Sequence, residues 1–307
     1  MDKPLSTADA PSQFLKTAFL VGHVPLKALD SDPRVSYALY IPPARYNDTT
    51  KLPLLVWVHG TLRKWTALFE EEMTSFADTT PCSILAPLFP AGLDGPNDLD
   101  SYKTLCSATL RSDLALLSIL DEVSQRWSNI DTRKIFLMGF SGGGQFVHRL
   151  LYLYPERLVA VSIGAPGRVT MLDEDRKWPT GLAGVQKVFG RSINKSQIRQ
   201  VAIQLVVGSE DIETHGDEEF WAWVKKVKGT EKEQGHGALS AMSQGRLRTL
   251  RDLQTAWEKD GIDSQLTIVE GISHEGGRAR KHMLDFLAPF IYSAVQEDAE
   301  SANRAWS

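Results

Sequence analysis

Cysteine is nearly absent from this chain of 307 residues: Cys82 and Cys106 stand alone, too few for a disulfide framework and without the spacing of metal ligands. No H-E-x-x-H motif or Cys/His cluster occurs, no Lys-Ser/Thr pair follows the glycines at Gly142-Gly143-Gly144, and no G-x-G-x-x-G spacing appears. Metal, phosphate-loop and dinucleotide chemistry are therefore set aside, and no cofactor is expected. Long apolar runs are missing too, none approaching the roughly 18 residues of a membrane span. An excess of basic charge is likewise lacking. Lys and Arg total 34 against 38 for Asp and Glu, a net charge of −4, which offers nucleic acid no electrostatic reason to bind. Met1 to Gln13 is polar, holds two prolines and has no apolar signal segment, so the expectation is a cytoplasmic protein.

What is present suits a globular chain with a sizeable core: 42% hydrophobic and 23% charged residues. Short apolar runs alternate with longer amphipathic stretches, the pattern of a mostly parallel sheet covered by helices, so the fold class is α/β. Val35 to Ile41 alternates and ends at Pro42-Pro43, as an antiparallel edge strand would. Leu54 to Val58 is continuously apolar, the signature of a strand buried on both faces. Ile84 to Ala86, Ile135 to Met138, Val159 to Ile163, Ile203 to Val207 and Leu266 to Val269 repeat it. Leu110, Leu114, Leu117 and Leu120 recur at helical spacing, as do Leu247, Leu250, Leu253 and Trp257. Met283 to Ile291 marks a last helix in which Pro289 predicts a kink or an early stop. With no Ser/Gly-rich linker and no repeat, residues 1–307 read as one domain. Two polar stretches with apolar side chains inside them, 167–200 and 212–245, read as rim insertions that either form a lid or simply pack onto the body.

The chemistry centres on Gly139-Phe140-Ser141-Gly142-Gly143, a G-x-S-x-G pattern between the apolar run ending at Phe140 and the helical pattern of Phe146, Val147, Leu150, Leu151 and Tyr154. A serine held at a tight strand-to-helix turn needs strained backbone angles and small neighbours, and the turn lifts its hydroxyl clear of the sheet. The N–H groups of the following helix then point toward it.

With these residues in place the chain resembles the α/β-hydrolase superfamily from about Tyr37 to the final helix. That resemblance implies an α/β-hydrolase fold, a serine nucleophile, and triad partners in the order Ser, acid, His. Gly208-Ser209-Glu210-Asp211 follows the apolar run ending at Val207 and matches the family's acid-bearing turn, so Asp211 is the implied acid. Glu210, Glu213, Asp217, Asp173 and Asp175 are its rivals. His274, on the glycine-flexed loop Glu270 to Gly277 before the last helix, stands where the family has its general base, a role neutral imidazole fills at neutral pH. His215 is its rival, while His23, His148, His236 and His282 read as structural or solvated. The oxyanion hole of the family maps onto the backbone N–H groups of Thr61 (or Leu62) and Gly142. The turn His59-Gly60-Thr61 departs from the HGGG form of many lipases and esterases, and His59 itself reads as structural. Trp65, Leu93, Met171, Trp178 and Trp221 are candidate pocket walls, which would suit an apolar or aromatic substrate group. The implied activity is a serine hydrolase cleaving a carboxylic ester or thioester through an acyl-enzyme. The layout also looks like intracellular fungal hydrolases of this fold that accompany polyketide or polyketide–peptide biosynthesis. That likeness implies an alternative, cyclisation or carbon–carbon bond formation on a reactive carbonyl with little hydrolysis.

Overall fold

The apolar runs become eight strands of one sheet, ordered β1-β2-β4-β3-β5-β6-β7-β8, in a computed structural model that describes residues 5–46, 51–212 and 245–305. The strands are β1 (Gly22–Leu29), β2 (Asp32–Ile41), β3 (Leu52–Val58), β4 (Ser83–Leu88), β5 (Ile130–Phe140), β6 (Leu158–Gly164), β7 (Ala202–Gly208) and β8 (Gln265–Val269). β2 runs antiparallel to both β1 and β4, and every other pairing is parallel. The helices are α1 (Glu71–Thr79), α2 (Ser112–Arg126), α3 (Gly142–Leu153), α4 (Val185–Phe189), α5 (Lys195–Ile198), α6 (Arg246–Lys259) and α7 (Gly276–Ala305). Every residue of β3 is buried, so both faces of the sheet centre are covered. α3 and α7 each span β3, β5 and β6. One hydrophobic core runs through both layers, with Phe136, Phe146, Leu151 and Leu287 among its fully buried side chains. Each such side chain contributes about 1.5–3 kcal/mol.

The strand order decides where a site can form. β3 lies between β4 and β5, so the chain leaving β3 turns one way while the chain leaving β5 turns the other. The crevice of an open parallel sheet lies at such a divergence, outside the carboxyl ends of the strands. Register sharpens this: Val58 pairs with Gly139, so the turn from His59 and the corner at Ser141 leave the sheet side by side. Gly208 pairs with Val269, which brings the Asp211 and His274 loops together in the same way.

Two expectations change, and the insertions are described in part. The strand over Val35 to Ile41 is not at the edge, because β1 pairs outside it. Pro25 sits where the β1 register shifts between Val24 and Lys27, and that irregularity breaks the alternation a strand otherwise displays. Pro289 does not stop the last helix, which continues to Ala305. The proline removes one backbone bond, but it lines a surface groove with Asp285 and Phe286, where water can reach the freed carbonyl of Asp285. Of the two insertions, 167–200 touches the body at Phe189, with Arg111 over its ring at 4.5 Å, and at Trp178, which donates to Thr104 O at 2.8 Å. The other, 212–245, is described only at Ile212 and Gly245.

Candidate active site

Ser141 occupies the corner between β5 and α3 with φ 58° and ψ −113°, a backbone conformation that costs a non-glycine residue on the order of 1–3 kcal/mol. The surroundings hold it there. Its N–H donates to Gly164 O at 2.8 Å, and its carbonyl accepts from Gln145 N–H at 3.1 Å. The helix starts almost in contact with the sheet: a Cβ on Gly143 would lie 2.2 Å from the Val58 carbonyl oxygen, and one on Gly144 would lie 2.4 Å from that of Gly164. Both obstacles are backbone atoms of buried strands and cannot swing aside. Gly143→Ala is therefore expected to destabilise the fold by about 3 kcal/mol, the upper end of overpacking effects. A lowered denaturation midpoint with unchanged slope would register the loss.

Asp211 and His274 meet across the ends of β7 and β8. Ser209 N–H donates to Val269 O at 2.9 Å and Glu210 N–H to Ile272 O at 3.0 Å, while Gly271 N–H donates to Ser209 Oγ at 3.0 Å. These bonds stitch the two loops together. Asp211 is fully buried, and its Oδ2 lies 2.8 Å from His274 Nδ1. Its Oδ1 accepts from Arg246 at 3.1 Å. Burial pushes this carboxyl up, yet the bond and charge of His274, with Arg246 adding to both, outweigh it and hold the group below its ordinary value of 3.8. Because a carboxylate only accepts, Nδ1 carries the proton of this bond, and in the neutral ring the lone pair is then on Nε2. The ring of His274 lies against Phe140, centroids 4.9 Å apart, so the histidine loop is anchored on the residue just before Ser141.

The depressed carboxyl makes a statement about stability. Its folded value lies below the unfolded one, so its stabilising effect is complete above about pH 4 and is lost as pH falls through the folded value. Asp211→Asn is therefore expected to be less acid-sensitive than the wild type, with a smaller fall in urea midpoint between pH 5 and pH 3. Equal falls would remove the carboxylate from this role.

The third element is the turn after β3. His59 is buried, accepts from Phe89 N–H through Nε2 at 3.1 Å, and donates through Nδ1 to Gly60 O at 2.8 Å. Burial pushes its pKa down to about 4, helped by the charges of Arg63 and Lys103. It is a neutral brace for the turn. Two residues after His59, Thr61 has its backbone nitrogen 3.0 Å from where a Cβ on Gly142 would stand. The N–H groups of Thr61 and Gly142 are thus neighbours at the start of α3. Among the described residues neither donates to a protein acceptor.

Gly142 is crowded from another side. A Cβ there would come within 2.4 Å of Tyr102 Oη and 2.9 Å of Lys103 Cε, residues of a short turn after β4. Both are buried. Tyr102 donates to His59 O at 3.2 Å, and Lys103 pairs with Asp100 at 2.5 Å. Sequence reading missed these two and also Arg149, buried on α3 with 1% exposure. The run Gly142-Gly143-Gly144 was the available signal. Three glycines exceed what the turn at Ser141 needs, which says that other parts of the chain fill their side-chain space.

Glu210 is exposed, Asp173 pairs with Arg176 at 3.1 Å, and Glu213, Asp217 and His215 lie outside the described residues. His148 is buried, accepting from Thr170 N–H at 2.8 Å. Trp65 meets Phe69 edge-on at 6.1 Å, and Leu93 and Met171 pack half-buried against the core. Trp178 donates to Thr104 O at 2.8 Å and lines a cavity of about 480 Å³ with Cys106, Lys177 and Val188, apart from Ser141, Asp211 and His274. Trp221 lies outside the described residues. Among those residues no cluster of His, Cys, Asp or Glu could hold a metal ion, and no helix is long and apolar enough to cross a membrane.

No protein-family model and no curated protein sequence matches the chain. Solved structures do. The chain is 17% identical to poly(aspartic acid) hydrolase-1 from Sphingomonas sp. KT-1, covering 86% of this chain and 98% of that one at a TM-score of 0.64. A poly(3-hydroxybutyrate) depolymerase from Bordetella parapertussis is 21% identical, with 87% and 91% covered and a TM-score of 0.60. Esterase 2 of Thermogutta terrifontis is 14% identical, with 88% and 94% covered and a TM-score of 0.51.

Proposed function

We propose that this chain, which has the α/β-hydrolase fold, hydrolyses a carboxylic ester or thioester of a small molecule through an acyl-enzyme on Ser141. The observation that carries the reading is a conjunction. A serine is held at φ 58° on a strand-to-helix corner, and the loop behind it bears a histidine whose Nδ1 is fixed by a buried carboxylate. The similar structures are named as a hydrolase, a depolymerase and an esterase, which points the same way.

In this reading Ser141 Oγ attacks the carbonyl carbon while His274 Nε2 takes its proton. Asp211 fixes the tautomer and stabilises the imidazolium that forms. The carbonyl oxygen becomes an oxyanion facing the N–H groups of Thr61 and Gly142, each contributing on the order of 3 kcal/mol in such sites. The bond to the leaving oxygen or sulfur then breaks, and His274 returns the proton to the leaving group. Water repeats the sequence on the acyl-enzyme, releasing the acid and restoring the serine. No cofactor is needed for any step. Trp65 and Trp178 make no ring contact or hydrogen bond with these groups, so they lend no support to an aromatic acyl group.

Turnover of short-chain 4-nitrophenyl esters by the wild type, lost in Ser141→Ala, is the test. A protein that takes a serine-directed phosphonate on Ser141 yet turns over no ester or thioester would instead support the other carbonyl chemistry. That chemistry is ring closure or carbon–carbon bond formation, with His274 as base and the oxyanion donors acting without acylation.

A further inference from the structure

The turn that carries Thr61 stands against the serine corner: a Cβ on Gly60 would lie 3.9 Å from Ser141 Cβ and 3.5 Å from the Phe140 carbonyl oxygen. Leu62, at its tip, is 94% exposed, so packing of that side chain does not hold the turn. Arg63 does, because its main chain and its side chain both reach back across it. Its N–H donates to Gly60 O at 3.0 Å. Its guanidinium donates to Thr61 O at 2.9 Å, Phe89 O at 3.0 Å, Pro90 O at 3.1 Å and Leu99 O at 3.4 Å. The same group lies over the Tyr102 ring, 5.0 Å from its centroid. One side chain thus fastens this turn to the segment after β4 and to the stretch leading to Tyr102. Arg63 has φ 55°, a left-handed backbone that glycine adopts without steric cost. An arginine at such a position is accounted for by the bonds that its side chain makes.

These bonds act on the Thr61 N–H through the two peptide groups that flank its α-carbon. The Gly60–Thr61 peptide bears that N–H, and its carbonyl accepts from Arg63 N–H at 3.0 Å and from His59 Nδ1 at 2.8 Å. The carbonyl of the Thr61–Leu62 peptide is held by the guanidinium. With both planes held, the direction of the N–H is set, and two donors on the Gly60 oxygen polarise it further. A planar fork of five N–H groups can bond several carbonyls at once, whereas a lysine ammonium is a point charge with three donors. Resting on the reading of Ser141 as nucleophile, we propose that Arg63 is a positioning residue, holding the Thr61 N–H on the oxyanion that forms when Ser141 attacks. It acts through Thr61. Its effect appears as the carbonyl carbon becomes tetrahedral, because donors aimed in advance at the developing charge bind the transition state more than the planar substrate.

The test sets KM for a short-chain 4-nitrophenyl ester beside the inhibition constant of an alkyl trifluoromethyl ketone, which adds to the serine and carries the same oxyanion. In Arg63→Lys and Arg63→Ala the inhibition constant is expected to rise about tenfold or more. kcat should fall about 30-fold, part of the loss that follows removal of an oxyanion donor, while KM stays within about threefold of the wild type. Neither KM nor the inhibition constant depends on how much of the enzyme is folded. A merely structural role, which lowers the amount of active protein, would therefore move neither. Arg63→Lys keeps the charge and most of the stem, so it decides the matter should Arg63→Ala fail to fold. An unchanged inhibition constant in Arg63→Lys, or a KM that rises as much as the inhibition constant, would overturn the proposal while leaving the nucleophile intact. If no ester turns over, the inhibition constant is read from slowed phosphonate labelling of Ser141, with the same two outcomes. Ester turnover that survives Ser141→Ala would instead bring down the underlying reading, and this proposal with it.

Discussion

Ser141→Ala is expected to lower kcat for a short-chain 4-nitrophenyl ester by roughly 10⁴- to 10⁶-fold, the range seen when a triad nucleophile is removed. The substitution deletes one oxygen and little else. The corner is held through backbone groups, Gly164 O on one side and Gln145 N–H on the other, and alanine meets the same backbone conformation with the same Cβ. The melting temperature should therefore stay within a few degrees of the wild type while activity collapses. That separation makes the experiment informative, because a folding defect and a missing nucleophile then give different results. The remaining rate should still exceed that of water alone, since the N–H groups of Thr61 and Gly142 are untouched.

The second large effect concerns the pair behind the serine. His274→Ala is expected to cost about as much as Ser141→Ala, and the double variant no more than either alone, because groups acting as a unit lose their whole contribution when one is removed. Asp211→Asn should lower kcat about 10⁴-fold. The geometry gives the reason. Oδ2 lies 2.8 Å from Nδ1, and an amide nitrogen turned toward the ring would favour the tautomer that puts the proton on Nε2, the atom needed as base. The other oxygen is bound by Arg246, which limits rotation of the side chain. Steady-state kinetics on the three single variants and the double variant decide the matter. Multiplicative losses in the double variant would mean that Ser141 and His274 act independently.

The corner at Ser141 was legible in the sequence because its determinants are local. An apolar run must end and a helix begin within a few residues, and the glycines mark where backbones approach. The candidate acid and base, Asp211 and His274, were legible by a different route, as turns following particular strands, and spacing alone left Asp211 among several rivals. What separated it is burial and a bond to His274, both tertiary. β1 escaped notice because Pro25 and the register shift beside it disrupt the alternating pattern. Tyr102, Lys103 and Arg149 escaped for a deeper reason. Polar side chains read as solvated unless something shows otherwise, and their burial follows from the packing of the turn after β4 onto α3, with no periodic trace in the chain. Of the aromatic pocket candidates, Trp65 packs on Phe69 and Trp178 on Phe189, contacts that spacing along the chain does not reveal.

The most direct measurement is the mass of the tryptic peptides after the folded protein has reacted with an organophosphonate, since it requires no knowledge of the substrate. A single adduct on the peptide containing Ser141, forming at least a thousandfold more slowly in His274→Ala, is the expected result. A folded wild type that takes no adduct, or takes it on another serine, would contradict the account.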